Sequence, residues 1–172
     1  MRCYLYLLLS LLALLTVACD PPEQTVSSVN PNDWAARRAT LPADTTLASG
    51  ATYLSSYSQI YTETEHRLFD LTGTISIRNI NLRDTVYITR AAYFGTGGQL
   101  VRDYFQDPIH LGPMETVSII IDMRDRTGGT GDNFYFEWST PRDVHEPLFE
   151  GVYISTYGQQ GLSFSTRGVR VE

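Results

Sequence analysis

A two-residue alternation of apolar and polar side chains runs from Ala51 to the C-terminus, and it constrains the fold more than any other feature. In the run Phe69–Arg78 the apolar residues fall on one face and the polar residues on the other. This is the pattern of a strand that is buried on one side. A second run, from Phe134 to Ser139, alternates in the same way. The core predicted from these two runs consists of Phe69, Leu71, Ile75, Ile77, Phe134, Phe136 and Trp138.

Further segments rich in β-branched and aromatic residues extend the pattern. They are Thr52–Tyr57, Thr85–Phe94, Leu100–Phe105, Thr116–Met123, Leu148–Tyr157 and Leu162–Val171. Turns that contain glycine or proline separate them, as at Gly95–Gly98 and Gly112-Pro113. About eight short strands without a long helical period predict an all-β fold, an antiparallel β-sandwich of the immunoglobulin-like kind over residues 49–172.

The N-terminal residues have the pattern of an export signal. Arg2 supplies a positive charge, Tyr4–Leu15 is almost wholly apolar, and small residues lead to Cys19. This pattern is typical of a secretory signal peptide, and the apolar run is too short for a membrane-spanning helix, which needs roughly 20 residues. We therefore expect a lipoprotein signal peptide at residues 1–18, with Cys19 as the lipidated N-terminus of the mature chain.

Residues 19–48 are predicted to form the lipidated Cys and a flexible, proline-rich stalk. Pro21, Pro22, Pro31 and Pro42 lie among small polar residues without an apolar period, so the segment buries too little to offset its ordering entropy. One short helical turn is expected at Trp34–Arg38, capped by Asn32 or Asp33. Docking of Trp34 on the domain is favoured over a position at the membrane interface.

Charge and cysteine content exclude several classes of function. Without the signal peptide, twelve arginines and no lysine stand against nineteen Asp and Glu, a net charge near −7. Such a surface repels nucleic acid and anionic headgroups. Cys3 leaves with the signal and Cys19 carries lipid, so the mature domain has no disulfide, thiol nucleophile or cysteine-built metal site.

Several segments resemble a bacterial family of uncharacterised lipoproteins, the domain of unknown function 3124 family. The similarity covers nearly all of residues 50–168, in order, and implies no particular activity. The chain departs from the family pattern at Gln59, where His is common, and at Asp132, where Ala is common, so no role for an imidazole is expected in the first loop. The segments that carry the resemblance are Tyr57–Tyr61, Leu71–Asn79, Tyr93–Val101, Gly128–Phe134, Glu137-Trp138 and Gly161–Phe164.

The glycine-rich loop Asp122–Asn133 is the candidate site. Asp122, Asp125, Asp132 and Asn133 offer oxygen ligands of the kind that Ca²⁺ prefers, although their spacing misses the EF-hand pattern. Backbone N–H groups of the glycines could also bind an anion, which the carboxylates would oppose. The favoured interpretation is structural, with at least one glycine at positive φ and the carboxylates of little importance to stability.

Other polar groups give weaker signals. His66, His110 and His145 are scattered and form no ligand pair. Glu137 and Glu150 lie on separate predicted strands, and the sequence leaves open whether they approach one another as a glycosidase pair would. Tyrosines near strand ends suggest a contact surface for a protein or a sugar, although rim tyrosines are common in sandwiches. These are Tyr57, Tyr61, Tyr93, Tyr104 and Tyr157.

The sequence thus favours an exported protein of the cell envelope, held on a lipid bilayer through acylated Cys19 and facing the periplasm or the cell surface. A non-enzymatic interaction or binding module without a cofactor is expected, with another envelope protein or a glycan as its partner. The alternative is a periplasmic domain that binds a metal or a carbohydrate through the Asp122–Asn133 loop. In one form of this alternative the domain is a hydrolase.

Overall fold

The computed structural model describes residues 33–43, 46–157 and 160–172. The predicted signal peptide (1–18), Cys19 and stalk residues 20–32 lie outside the described residues. A 3-10 turn at Ala35–Arg37 precedes the first strand. The strands are β1 (Leu47–Ser56), β2 (Gln59–Thr62), β3 (Thr64–Asp70), β4 (Thr72–Arg78), β5 (Val86–Phe94), β6 (Leu100–Asp103), β7 (Ile109–Leu111), β8 (Thr116–Ile121), β9 (Asp132–Pro141), β10 (Leu148–Tyr157), β11 (Gln160–Arg167) and β12 (Val169–Arg170).

Two antiparallel sheets enclose the core. The first has the strand order β12-β1-β9-β5-β6, with β7 paired to the beginning of β5, and the second has the order β11-β10-β4-β8. Strands β2 and β3 form a separate two-stranded hairpin. The prediction of an all-β, antiparallel sandwich is confirmed, although the described part of the chain forms twelve strands rather than about eight. Two of the additional strands, β7 and β12, have three and two residues, which is too short for a periodic signal.

Six of the seven predicted core residues are buried as expected, and Phe69 is the exception. The predicted strand Phe69–Arg78 is interrupted at Leu71, where the Leu71 N–H donates to the carbonyl of Ser58 at 2.9 Å. Phe69 therefore belongs to the β2–β3 hairpin and is only half-buried. The alternation predicts the buried face of β4 correctly, but it does not show the break between β3 and β4, and the placement of Phe69 in the core is wrong.

Aromatic rings join the two sheets. Phe136 of β9 stacks on Phe149 of β10 with 4.3 Å between the ring centroids.

Trp138 is 2% exposed, and its indole N–H donates to the hydroxyl of Thr52 at 3.0 Å. A buried indole needs such a partner, because an unmet donor in the core is costly.

Part of the predicted stalk packs on the domain. Trp34 lies against Tyr104 and Phe105, with ring centroids 6.4 and 5.3 Å away. The Asp33 carboxylate accepts the N–H of Ala36 at 3.2 Å, as expected for a capped turn. Docking of Trp34 on the domain is therefore confirmed, and residues 34–39 are not a free stalk.

The sandwich has two ends, which we name by their loops. At the entry end, β1 begins with Leu47 paired to Pro141, the last residue of β9. At the distal end, β1 finishes with Ser56 paired to Asp132, the first residue of β9. The entry end carries loops 79–85, 112–115 and 142–147, and the distal end carries the β2–β3 hairpin and the glycine-rich loop. No helix within the described ranges is both long and apolar enough to cross a bilayer.

Candidate functional site

The glycine-rich loop folds back on the strands of the distal end. Gly129 has a φ of +87°, so the prediction of a glycine at positive φ is confirmed. The Gly129 carbonyl accepts the N–H groups of Ser58 and Gln59 at 3.2 and 3.0 Å. A Cβ atom at Gly128 would overlap the Tyr93 hydroxyl and the Asp132 carboxylate. The glycines thus let the loop backbone approach polar side chains beneath it.

Those side chains form a buried cluster around Asp132. Asp132 Oδ2 accepts the backbone N–H of Ser58 at 2.8 Å, the Ser58 hydroxyl at 2.6 Å and the Tyr93 hydroxyl at 2.9 Å. Ser58 and Tyr93 are fully buried and Asp132 is 1% exposed. The carboxylate therefore ties together the β1–β2 connection, β5 and the beginning of β9. Its position is closed to a substrate.

The other carboxylate oxygen of Asp132 has a different environment. Neither Asp132 Oδ1 nor the buried Ser56 hydroxyl has a well-formed hydrogen bond within the described part of the chain. Burial is the main influence on this carboxyl and raises its pKa above the usual value, although nearby hydroxyls oppose the shift. Burial and the Asp132 charge also raise the pKa of Tyr93.

Asp125 is engaged separately. It is 5% exposed and lies 3.3 Å from the guanidinium of Arg102. Thr127 donates to it through its N–H at 3.2 Å and its hydroxyl at 2.5 Å. Arg102 also lies over the ring of Tyr104, 5.7 Å from its centroid, while burial raises the pKa of Tyr104 to about 12. These contacts fix the loop on β6.

The four metal-ligand candidates are not brought together. Asp122 is near the loop surface and pairs with Arg124 at 3.3 Å. Asn133 accepts the hydroxyl of Tyr53, while Asp125 and Asp132 accept donors from separate groups. Over the ranges that the structure describes, no three His, Cys, Asp or Glu side chains form a metal-binding group. The carboxylates of Asp125 and Asp132 serve instead as buried acceptors of hydrogen bonds within the fold.

The three histidines are far apart in the fold. His66 is exposed on β3 and lies 3.4 Å from Glu65. Nδ1 of His110 on β7 lies 3.0 Å from the Arg37 carbonyl. His145 is exposed in an entry-end loop, where its backbone N–H donates to Asn81 at 2.9 Å.

Glu137 and Glu150 are not a glycosidase pair. Glu137 belongs to the first sheet and lies 3.6 Å from Arg90. Glu150 belongs to the second sheet and lies 3.0 Å from Arg78. Each alternates with core residues along its strand, so the two side chains point to opposite outer faces of the sandwich. Their role is in surface ion pairs.

The tyrosines near strand ends divide between core and surface. Tyr93 is fully buried and Tyr104 is 8% exposed, so neither is available for contact with a partner. Tyr57 packs edge-on against Tyr153 at 5.8 Å between ring centroids. Tyr61 is 59% exposed, while the side chain of Tyr157 lies outside the described part. Among the described members of this group, Tyr61 alone has most of its surface accessible.

An open cleft lies beside Tyr61 at the distal end, between the β2–β3 hairpin and the β10–β11 hairpin. Its volume is about 520 Å³. Ile60, Phe69 and Leu162 supply apolar surface, and Thr62, Glu63, Ser155 and Gln160 supply polar groups. A concave surface of this mixed composition is typical of a binding site.

Sequence reasoning missed this cleft. The hairpin was not predicted, because Thr64–Arg67 is polar and exposed on both faces and lacks the alternation that marks a half-buried strand. The one sequence signal for the hairpin was the aromatic Phe69 next to the charged Asp70. In the structure, the Asp70 carboxylate accepts hydrogen bonds from Gln59 at 2.7 Å and from Arg126 at 2.5 Å.

The fold and these clusters define a β-sandwich domain with a distal cleft. Residues 49–171 match the model of the DUF3124 family, which is described as proteins of unknown function. The chain therefore belongs to this family, as its sequence resemblance predicts. None of the curated proteins matches the chain. Among solved structures, the crystal structure of Thermotoga maritima 1070 is similar over 70% of this chain and 92% of that chain, with 12% identity and a TM-score of 0.46.

Proposed function

We propose that this chain is an exported lipoprotein, held on a bilayer of the cell envelope through acylated Cys19, and that its domain binds an envelope partner without catalysis. The observation that carries the binding role is the distal cleft with its exposed Tyr61. The apolar segment that ends at Cys19 supports the tether. Lipid chains contribute about 0.8 kcal/mol per buried methylene, so a multiply acylated cysteine anchors a domain by itself.

The position of the cleft suits a tethered binding module. Residues 35–39 lie along β7, and β1 then begins at the entry end. The cleft lies at the opposite end of β1, where Ile60 and Leu162 line it. A partner in the envelope could therefore reach the cleft while the domain remains attached to the bilayer.

The chemistry of the described residues supports a non-enzymatic role. The Ser58 hydroxyl donates to the Asp132 carboxylate, but both groups are buried, so this hydroxyl is not accessible to a substrate. The cleft offers hydroxyl, amide and carboxylate groups beside apolar side chains, which suits recognition of a polypeptide surface. No contact of the Asp122–Asn133 loop favours a metal or carbohydrate site there.

The tether is tested by Cys19→Ser. We expect the substituted chain to leave the membrane fraction or to accumulate with its signal peptide uncleaved, because the thiol that accepts lipid is gone. Fractionation of cells and the mass of the N-terminal peptide measure both effects. Normal cleavage with unchanged membrane attachment would contradict the tether.

The binding role is tested by photo-crosslinking in intact cells. A photoreactive amino acid replaces Leu162 in the cleft, and in a matched chain it replaces Thr74 on the outer face of β4. We expect a discrete crosslinked adduct from position 162 that position 74 does not give, because the cleft holds the partner. Identical adducts from both positions, or none from position 162, would argue against a binding site in the cleft.

A further inference from the structure

Strand β11 is a long and unprotected edge of the second sheet. It pairs only with β10, and six of its eight residues are exposed. The other edges of the two main sheets are shorter, since β6, β7 and β12 have four residues or fewer and β8 has six. Proline, charged residues and bulges usually protect an edge from pairing with another strand. β11 has no proline and no shift in its register with β10, and its single charge is at its last residue, Arg167.

One hydrogen bond shows which backbone groups of β11 face the open edge. The N–H of Gly168 donates to the carbonyl of Phe149 on β10 at 2.9 Å. Because successive residues of a strand direct their backbone groups to opposite sides, the even-numbered residues of β11 bond to β10. The odd-numbered residues direct their N–H and C=O groups to the open edge, and none of the residues in the described ranges bonds to those groups. They are Gly161, Ser163, Ser165 and Arg167.

The residues of β11 are complementary to a second copy of the same strand. When two copies run antiparallel around Phe164, every edge-facing residue lies opposite an edge-facing residue of the partner. Ser163 then lies opposite the partner's Ser165, and Gly161 lies opposite the partner's Arg167. This register satisfies the open backbone groups of both strands. It also brings no like charges together, because the only charged residue of the strand faces a glycine.

Phe164 lies at the centre of this register. Its ring packs on Tyr57 and Tyr153, with centroids 5.5 and 5.0 Å away, but it is only half-buried. Its backbone bonds to β10, so two Phe164 residues would form a non-hydrogen-bonded pair, in which side chains approach most closely. Aromatic pairs across antiparallel strands are stabilising. A second copy therefore covers the part of this ring that its own chain leaves exposed.

Gly161 is an independent indication that another chain approaches. Its φ is not positive, and a Cβ atom at this position would meet no atom within 4 Å. The described part of its own chain therefore gives no reason for a glycine here, although glycine weakens a strand. A glycine within a strand often marks a place where another backbone comes close. In the register around Phe164, the partner's Arg167 lies across this position.

We propose that two copies of the chain pair antiparallel along β11 around a two-fold axis at Phe164, so that their four-stranded sheets become one continuous sheet. A two-fold contact of this kind uses the same surface on both copies. The net negative charge does not prevent it, because β11 carries no carboxylate and charges more than about 10 Å apart are largely screened. The proposal depends neither on the lipid tether nor on a partner in the cleft.

The dimer changes the distal cleft. Gly161 lines this cleft, and Glu63 is the one charged residue in its described lining. The partner's Arg167 lies opposite Gly161 and therefore reaches the rim of the cleft. Each copy thus adds a guanidinium to the cleft of the other.

Disulfide formation tests the register. The mature chain with Cys19→Ser has no thiol, so Ser163→Cys and Ser165→Cys each introduce a single one. In a mixture of the two chains these positions lie opposite one another, with Cα atoms about 5.5 Å apart, which suits a disulfide. Two identical positions are offset by two residues and lie about 7–8 Å apart, which is too far. The mixture should therefore form the linked dimer at least about fivefold faster than either chain alone.

Thr116→Cys is the control for this measurement. Thr116 is exposed on β8, the edge strand on the other side of the same sheet. Its mixture with the Ser163→Cys chain should form a linked dimer no faster than either chain alone. If the Ser163→Cys and Ser165→Cys mixture is no faster than this control, the proposed register is wrong.

A charge exchange supplies the second readout, the Kd of the dimer from sedimentation of the Cys19→Ser mature chain. Gly161→Arg places two arginines opposite one another at both ends of the paired strands and should raise the Kd at least about fivefold. Adding Arg167→Glu to that chain pairs opposite charges and should return the Kd to within about twofold of its original value. Gly161→Ala is the matched control, because its Cβ atom has open space.

Two results of the sedimentation experiment would overturn the proposal. One is a chain that remains monomeric up to about 1 mM, which would leave this edge to a strand of another protein. The other is a dimer whose Kd does not respond to Gly161→Arg. Circular dichroism shows in each case that the variant is folded, so a loss of the dimer is not a loss of the domain.

Discussion

Asp132→Ala should lower the free energy of unfolding by about 3 kcal/mol. The carboxylate accepts three hydrogen bonds in the buried cluster, and a buried donor left without its acceptor costs about 1–3 kcal/mol. The Ser58 and Tyr93 hydroxyls, 2.8 Å apart, can still bond to each other, which limits the loss. Urea denaturation followed by tryptophan fluorescence measures the change.

Asp132→Asn is the matched control and should cost less than about 1 kcal/mol at neutral pH. Its amide oxygen can accept from Ser58 and Tyr93, while its NH₂ group can face the Ser56 hydroxyl at the place of Oδ1. The neutral side chain also avoids the cost of burying a charge. If the Asn variant loses as much stability as the Ala variant, then a neutral amide oxygen cannot replace the Asp132 carboxylate as a hydrogen-bond acceptor, and this interpretation is wrong.

The same pair of chains predicts a pH dependence. Burial raises the pKa of Asp132 in the folded chain, so the folded state holds this proton more tightly than the unfolded state. The resulting stability is fully present below the unfolded pKa, near 3.9, and is lost as the pH rises through the folded pKa. The native chain should therefore lose stability relative to Asp132→Asn as the pH is raised from about 4. Parallel pH profiles of the two chains would refute the raised pKa.

Ile75→Ala should lower the free energy of unfolding by about 2–5 kcal/mol. Ile75 is fully buried in β4, between β8 and β10 in the second sheet. Removing a buried branched side chain loses its transfer free energy and leaves a cavity that neighbouring strands fill only in part. The shift in the midpoint of urea denaturation, at an unchanged slope, measures this loss.

Thr74→Ala, at the adjacent position of β4, is the control. Its side chain lies on the outer face and is only half-buried, so a change within about 0.5 kcal/mol is expected. Similar losses for the two substitutions would mean that the two faces of β4 do not differ in burial.

The architecture was predictable because burial on one side of a strand leaves a period of two in the sequence. The residues of β4 and β9 follow that period, and the predicted core members on both strands are buried. The β2–β3 hairpin was not predictable in this way, because its exposed residues record no burial. Phe69 was wrongly placed in the core because its alternation continues into β4. In the structure the chain changes direction at Leu71, and Phe69 pairs with Ile60 in the hairpin.

The glycine-rich loop shows the same division. The sequence predicts a glycine at positive φ in this loop, because glycine has no Cβ atom and adopts positive φ with little steric cost. Gly129 confirms that prediction. Asp125 accepts from its neighbour Thr127, but the donors to Asp132 and the guanidinium beside Asp125 come from Ser58, Tyr93 and Arg102, which are more than twenty residues away in the chain. Spacing within the loop contains no information on such contacts.

The sequence by itself determined the strand pattern, the family resemblance, the export-signal pattern and the absence of cysteine from residues 49–172, since each depends on residues close together in the chain or on composition. Tertiary structure decided the rest. It buried Asp132 under Gly128, separated the candidate metal ligands, opened the cleft between two hairpins and joined three loops through Asn79 and Asn81. These features depend on which distant segments meet when the two sheets pack, and the period of a strand specifies which face is buried but not its neighbours.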